Sequence, residues 1–125
     1  MPDPTTAFFA MLRQHGMEIL PEKFQLGSLR FDLVRGMETD HWFVQIEDGR
    51  VVVAREERPA DCVAHTDAYQ FDRLVCGRAH LIAMLMRNEM TVEGVLPLLL
   101  LFRRAFPSSP ETRDPRELAT GRARR

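Results

Sequence analysis

The chain has few cysteines, no long hydrophobic run and no marked excess of either charge. Its only cysteines are Cys62 and Cys76, too few for a disulfide framework, and we interpret both as small buried hydrophobic residues. Its longest apolar run, Val95 to Phe102, covers only ~12 Å as a helix against the ~30 Å of a bilayer core. A run this short cannot form a transmembrane helix. With no basic, apolar leader at the N-terminus, the sequence predicts a cytoplasmic protein.

The charge balance and the length restrict the class of protein further. A formal net charge of −1 gives no global attraction to nucleic acid, so no nucleic-acid partner is predicted. A length of 125 residues suits one domain, which we place at residues 1–106. The remainder, residues 107–125, is poor in large apolar residues and ends in three arginines. We expect this segment to be a disordered basic tail.

Alternating apolar residues predict a sheet. Leu29, Phe31 and Leu33 alternate with polar residues, and a second run around Trp42 does the same apart from Phe43, which puts an aromatic ring on the polar side. Asp48-Gly49 separates that run from a valine-rich run, as expected of a two-residue hairpin. Further short strands are predicted over residues 61–65 and 90–94.

Capping residues and glycines predict the helices. Asp3-Pro4 opens a first helix, for which Gly16 is a plausible stop. Thr66 is positioned to cap a second helix over residues 67–76. A third helix is predicted over residues 79–88, and a last, leucine-rich helix follows Gly94.

The last two helices carry more apolar surface than one sheet can cover. A helix on a sheet needs an apolar stripe roughly 100° wide. The last helix instead has Val95, Leu98, Leu99 and Phe102 on one face, Leu96 and Leu100 on a second and Leu101 on a third. The third helix also has two apolar faces, one with Leu81, Met84 and Leu85 and one with Ile82 and Met86. The surplus suits a bound apolar ligand, a partner subunit or helices stacked on one another.

Residues that could serve catalysis or metal binding do not form a motif. Cys62 and His65 are the nearest candidate metal ligands, but in an alternating strand they point to opposite faces. Asp32 with Asp72, or Asp61 with His65, could transfer a proton if the fold joined them. No metal, cofactor or catalytic residue is predicted.

The order of elements resembles the sterol carrier protein (SCP-2-like) lipid-transfer family. The resemblance covers residues 17–106 and includes Ala60-Asp61-Cys62-Val63 entering a strand, and Met90-Thr91-Val92-Glu93-Gly94 running into the leucine-rich helix. It implies an α+β fold with a five-stranded, mostly antiparallel sheet whose one face is covered by helices that enclose a hydrophobic tunnel. The tunnel would hold a sterol, fatty acid, acyl-coenzyme A or phospholipid without catalysis. The chain departs from the family at Val95, where an acidic residue is usual, and it lacks a serine-lysine-leucine address at its end.

On this basis we predict a lipid carrier that contacts membranes only transiently. The residues predicted to face the ligand are Phe31, Leu33, Trp42, Val44, Phe71, Leu74, Met84, Leu85, Val92, Leu98 and Phe102. Arg87, Arg103 and Arg104 are candidates for contact with a ligand headgroup. Two alternatives remain. The chain could be an interaction module or subunit that uses the same apolar surface for a homodimer or a larger enzyme, or a small isomerase or dehydratase with a buried Asp or His.

Overall fold

A computed structural model describes residues 3–107, apart from the side chains of residues 25 and 26. The predicted tail therefore lies, except for Pro107, outside the described residues. The elements in chain order are α1 (Pro4–Ile19), a 3-10 helix (Glu22–Leu26), β1 (Ser28–Arg35), β2 (Glu38–Glu47), β3 (Arg50–Ala54), β4 (Cys62–Asp67), α2 (Ala68–Val75), α3 (Leu81–Met86), β5 (Met90–Gly94), α4 (Leu96–Phe102) and a 3-10 turn (Arg103–Ala105).

The five strands form one sheet in the order β3-β2-β1-β4-β5. Strands β1 and β4 pair in parallel, and the other three neighbouring pairs are antiparallel. This α+β arrangement, with a mostly antiparallel five-stranded sheet, confirms the predicted fold class. The Asp48-Gly49 hairpin is also confirmed, because both residues have positive φ and join β2 directly to β3.

Among the described residues, the sheet has an inner face packed against helices and an outer face with no helix on it. Leu29, Phe31 and Leu33 point inward and are fully buried. Register places Trp42 of β2 and Ala64 of β4 beside Phe31 on the inner face. The outer face carries Asp32, flanked by His41 and His65. Within residues 3–107, no helix is both long and apolar enough to cross a bilayer.

Several local predictions were wrong. Gly16 does not stop α1, which continues to Ile19. The glycine serves packing instead, because it lies against Val51 and lets the helix approach β3 closely. Asp67, not Thr66, caps α2, and the buried Thr66 hydroxyl donates to the Glu89 carbonyl at 2.7 Å instead.

The predicted burial of the two cysteines is only half correct. Cys62 lies in the core, whereas Cys76, which follows α2, is exposed. Both thiols are free. The helix pattern explains the difference, since α2 turns Phe71 and Leu74 inward and the chain leaves the core after them.

Candidate functional site

Aromatic rings fill the layer between the inner face of the sheet and the helices. Phe31 of β1 lies at its centre, with its ring centroid 5.0 Å from that of Phe71 in α2 and 5.3 Å from that of Phe102 in α4. All three side chains are fully buried. The sheet and two helices therefore meet through direct ring contacts.

Helix α1 contributes a ring that the predicted site omitted. Phe9 stacks on Trp42 with centroids 4.4 Å apart and on Phe71 at 5.8 Å, so it lies between the sheet and α2. Phe8 and Phe106 stack at 5.2 Å at the helical side of the same layer. The apolar pair Phe8-Phe9 was recognisable in the sequence as the buried face of α1. What the sequence did not reveal is that α1 crosses to the centre of the layer.

The eleven residues predicted to face a ligand all belong to this layer or border it. Nine are buried in one hydrophobic cluster, whereas Leu85 of α3 and Val92 of β5 are half-buried and pack against that cluster. The nine are Phe31, Leu33, Trp42, Val44, Phe71, Leu74, Met84, Leu98 and Phe102. The fold thus brings the whole predicted set into one region.

The layer is apolar and carries no buried charge. Asp32 is the only charged side chain among the buried residues of the described chain, and it lies on the outer face. Cys62 is buried toward the helices, and burial, together with the nearby charge of Asp61, raises the pKa of its thiol to about 11 although the Leu99 amide opposes the shift. Cys62 is therefore neutral at neutral pH.

The three arginines predicted as headgroup contacts lie at two separate places. Arg87 directly follows α3, which packs against β5, whereas Arg103 and Arg104 directly follow α4 and the buried Phe102. All three are exposed. The arginine ion pairs within residues 3–107 involve four other arginines, namely Arg30, Arg35, Arg55 and Arg58.

The outer face of the sheet carries a row of ionisable side chains. Asp32 Oδ1 lies 2.7 Å from His41 Nδ1, and Asp32 Oδ2 lies 3.5 Å from His65 Nδ1. Nε2 of His65 in turn lies 2.5 Å from an oxygen of Glu93. Because an ionised carboxylate only accepts hydrogen bonds, Nδ1 of His41 carries the proton that it donates to Asp32.

This row bears on the enzyme alternative, which requires an acid with a raised pKa inside the apolar layer. Burial is the largest single influence on Asp32 and would raise the pKa of its carboxyl. Hydrogen bonds from Arg30 and His41, with the charges of both, outweigh burial and lower that pKa below its ordinary value. Asp32 is thus an ionised, ion-paired group on the face opposite the apolar layer.

The two pairs considered for proton transfer, Asp32 with Asp72 and Asp61 with His65, do not form. Asp72 accepts a hydrogen bond from the Thr5 hydroxyl at 2.7 Å, and Asp61 accepts one from the Ser28 amide at 2.9 Å. His65 is turned toward Asp32 and Glu93 rather than toward Asp61. Over residues 3–107 no cluster of three or more His, Cys, Asp or Glu side chains is arranged to hold a metal ion.

Comparison with known proteins identifies the class to which this fold belongs. Residues 21–107 match the model of the SCP-2 sterol transfer family. The chain belongs to that family, and the predicted resemblance is confirmed. No curated protein sequence matches the chain.

Solved structures with the same fold include sterol carrier proteins from a yeast and an insect. Sterol carrier protein 2 from Yarrowia lipolytica, in its apo form, aligns with a TM-score of 0.61 at 17% identity, over 74% of each chain. The Aedes aegypti sterol carrier protein 2 in complex with palmitate aligns with a TM-score of 0.63 at 14% identity, over 86% of this chain and 100% of the other. A structure described as UbiJ-SCP2 ubiquinone synthesis protein aligns with a TM-score of 0.57 at 18% identity, over 81% and 94%.

Proposed function

We propose that this protein is a non-catalytic carrier that binds a lipid, sterol or fatty acyl chain between the inner face of its sheet and its helices. The observation that carries the proposal is membership of the SCP-2 sterol transfer family by a chain whose sheet-to-helix layer is apolar and uncharged. The Aedes aegypti relative, which was solved with palmitate, supports a fatty acyl ligand.

Burial alone can supply the affinity. Each methylene group removed from water contributes about 0.8 kcal/mol, so ten of them contribute about 8 kcal/mol before ordering costs, which corresponds to micromolar binding. No polar contact inside the layer is needed. Selectivity among acyl chains is then loose, and the exposed Arg103 and Arg104, next to the buried Phe102, are placed to meet a carboxylate or phosphate headgroup.

A ligand that enters the layer must separate aromatic rings that contact one another. The helices that could move to admit it differ in whether a side chain caps their N-termini. Asp3 Oδ1 caps α1 by accepting from the Thr6 amide, and Asp67 Oδ1 caps α2 by accepting from the Tyr69 amide, each at 2.7 Å. Helices α3 and α4 have six and seven residues and no side-chain cap. Such short helices are marginal alone. The ligand therefore enters the layer by displacing α3 or α4.

Two measurements on the purified chain test the proposal. Denaturing extraction followed by mass spectrometry should release a lipid, and a fluorescent fatty acid should bind the delipidated protein with micromolar affinity. A chain that yields no lipid and fails to bind the fatty acid contradicts the proposal. A lipid-free dimer joined through α4 would favour the interaction-module alternative.

A matched pair of substitutions in β5 locates the site. Val92 faces the inner side of the sheet and is half-buried, whereas its neighbour Thr91 faces outward and is exposed. Val92→Trp should place an indole in the proposed site and weaken fatty-acid binding about tenfold, equivalent to about 1.4 kcal/mol. Thr91→Trp adds the same ring to the opposite face and should leave binding unchanged. Equal affinities for the two variants would place the ligand elsewhere.

A further inference from the structure

Helix α4 leaves an apolar face turned away from the protein. Leu98, Leu99 and Phe102 are buried against the sheet side. On the opposite side Leu96 and Leu100, one helical turn apart, remain 41% and 37% exposed. Part of the surplus apolar surface anticipated from the sequence is therefore left uncovered by residues 3–107.

Positive charge begins where this apolar face ends. The 3-10 turn after α4 contains Arg103 and Arg104, both exposed, and α4 itself has no charged residue. From residue 95 to the end, the sequence has seven arginines and three acidic residues, whereas residues 1–94 have ten basic and fifteen acidic residues. A chain of nearly zero net charge is thus divided into a part of charge −5 and a C-terminal part of charge +4.

We propose that the outward face of α4 docks on the surface of an anionic lipid membrane. Leu96 and Leu100 would enter the boundary between headgroups and acyl chains, and Arg103 and Arg104, which directly follow α4, would remain at the level of the lipid phosphates, with the arginines later in the sequence adding to the positive charge. This combination of an exposed apolar helix face with flanking basic residues matches an anionic lipid surface both in polarity and in charge. The proposal rests on the proposed carrier function, because docking brings α4, one of the two helices proposed to move when the ligand enters, onto the membrane.

Two other occupants fit the face less well. A second copy of the chain, related by a two-fold axis, would bring two C-terminal parts of charge +4 together. The chain's own residues 108–125 contain one large apolar residue, Leu118, which is too little to cover two leucines. An anionic membrane offers both an apolar region in which the leucines are buried and negative charge that attracts the arginines.

Vesicle flotation of the full-length chain tests the proposal. The chain should float with vesicles of equimolar phosphatidylcholine and phosphatidylglycerol, and binding should fall when salt is added or phosphatidylglycerol is omitted. Leu96→Gln/Leu100→Gln keeps residues that favour helix and should weaken vesicle binding about tenfold. The matched control Val34→Gln/Met37→Gln alters two exposed apolar residues near the β1–β2 turn and should bind as the parent does.

A second set of variants isolates the electrostatic contribution. Arg122→Gln/Arg124→Gln/Arg125→Gln should lower binding to phosphatidylglycerol vesicles about a hundredfold. It should have little effect on the weak binding to pure phosphatidylcholine. An equal loss on both vesicle types, or no loss on either, would contradict the assignment of the arginines to anionic lipid.

Fatty-acid binding in vesicle-free solution, measured on the same variants, separates this inference from the carrier function. Fatty-acid binding with no vesicle binding overturns docking and leaves the carrier function standing. Vesicle binding that depends on Leu96 and Leu100 without fatty-acid binding supports docking and contradicts the carrier function. Vesicle binding that is unaffected by Leu96→Gln/Leu100→Gln overturns docking, as does a dimer that these substitutions dissociate.

Discussion

Arg30 and Asp32 form a bidentate ion pair within strand β1, with Nε 2.8 Å from Oδ1 and Nη2 3.0 Å from Oδ2 of the carboxylate. The two residues lie two positions apart and therefore share the outer face of the sheet. Arg30 also donates to the Arg58 carbonyl at 3.1 Å, which brings the segment before β4 across this face. Asp32 can thus be only 5% exposed and still be ionised, because its oxygens are satisfied on several sides.

Removing the charge of Asp32 should destabilise the protein. Asp32→Asn leaves the Arg30 guanidinium in its half-buried position without its counter-charge and replaces the ionised acceptor of His41 with a neutral amide. By analogy with other broken buried pairs we expect a loss of about 3–5 kcal/mol in the free energy of unfolding. Urea denaturation followed by circular dichroism measures it.

Asp40 provides the control for that substitution. It also pairs with two arginines, Arg35 at 3.2 Å and Arg55 at 3.6 Å, but both partners are largely exposed. Asp40→Asn should therefore cost less than about 1 kcal/mol. If both variants lost the same stability, the burial of Asp32 would not be the source of the effect.

The same carboxylate should make stability fall at acid pH. The folded-state pKa of Asp32 is lowered, so between that pKa and the ordinary aspartate value of about 3.9 the unfolded chain binds a proton that the folded protein does not. Its contribution is fully present above about pH 5 and is lost as the pH falls through the folded-state pKa. The stability difference between the parent and Asp32→Asn should be constant near neutrality and shrink below about pH 4. A difference that stayed constant down to acid pH would contradict the shift.

The predictions that succeeded depend on local signals. Alternation placed Phe31 and Trp42 on one face, and the Asp48-Gly49 turn fixed the pairing of β2 with β3, because period and turn geometry depend on residues close in sequence. The apolar residues proposed to face a ligand belong to or pack against one hydrophobic cluster, which polarity alone indicates, whereas their contact with a ligand stays a prediction.

The features that the sequence did not predict depend on contacts between distant residues. Phe43 breaks the alternation of β2 because Arg58, from a later loop, helps to cover the Phe43 ring. Cζ of Arg58 lies 4.7 Å from the centroid of that ring. Nothing near Phe43 in the sequence indicates this. The sequence also could not reveal the row from His41 through Asp32 to His65, which spans β2, β1 and β4 and exists only because β4 pairs in parallel with β1.

Gly16 is required for close packing between α1 and β3. A Cβ atom at this position would lie 2.5 Å from Cγ2 of Val51, and the β-branched valine has little freedom to turn away. Gly16→Ala gains about 1 kcal/mol of helix propensity but introduces an overlap that costs about 1–3 kcal/mol, so we expect a net loss of stability. Thermal unfolding measures it, with Gln14→Ala, at an exposed position of the same helix, as the control.

A second substitution identifies the cause of that loss. Adding Val51→Ala to Gly16→Ala removes the overlapping methyl group, so the two changes should be less destabilising together than the sum of each alone. Strict additivity would mean that the loss at Gly16 does not arise from Val51.

The two cysteines should react at different rates. Cys76 is exposed, whereas Cys62 is buried and its thiol pKa is raised to about 11, so the reactive thiolate of Cys62 is scarce at neutral pH. A disulfide reagent should modify one thiol quickly in the native protein and two after denaturation. In Cys76→Ser the fast phase should disappear. A fast phase that persisted in this variant would show that Cys62 is accessible.

The missing cap of α4 offers a way to control the helix that the ligand is proposed to displace. Val95 precedes α4, and position 97 of the helix is a proline without an amide proton, so the Leu98 amide, which now donates to the Val95 carbonyl at 3.1 Å, is the amide that a side-chain acceptor at position 95 would also reach. Val95→Ser supplies the acceptor, and Val95→Ala removes the same side chain without supplying one. The serine variant should be more stable than the alanine variant by about 1 kcal/mol. It should also show slower amide hydrogen exchange at Leu99 and Leu100.

If displacement of α4 admits the ligand, Val95→Ser should take up a fluorescent fatty acid more slowly than Val95→Ala, with the same Leu96 and Leu100 face exposed in both. Equal uptake rates despite slower hydrogen exchange would exclude α4 as the moving element and leave α3, the other uncapped helix, as the route into the layer.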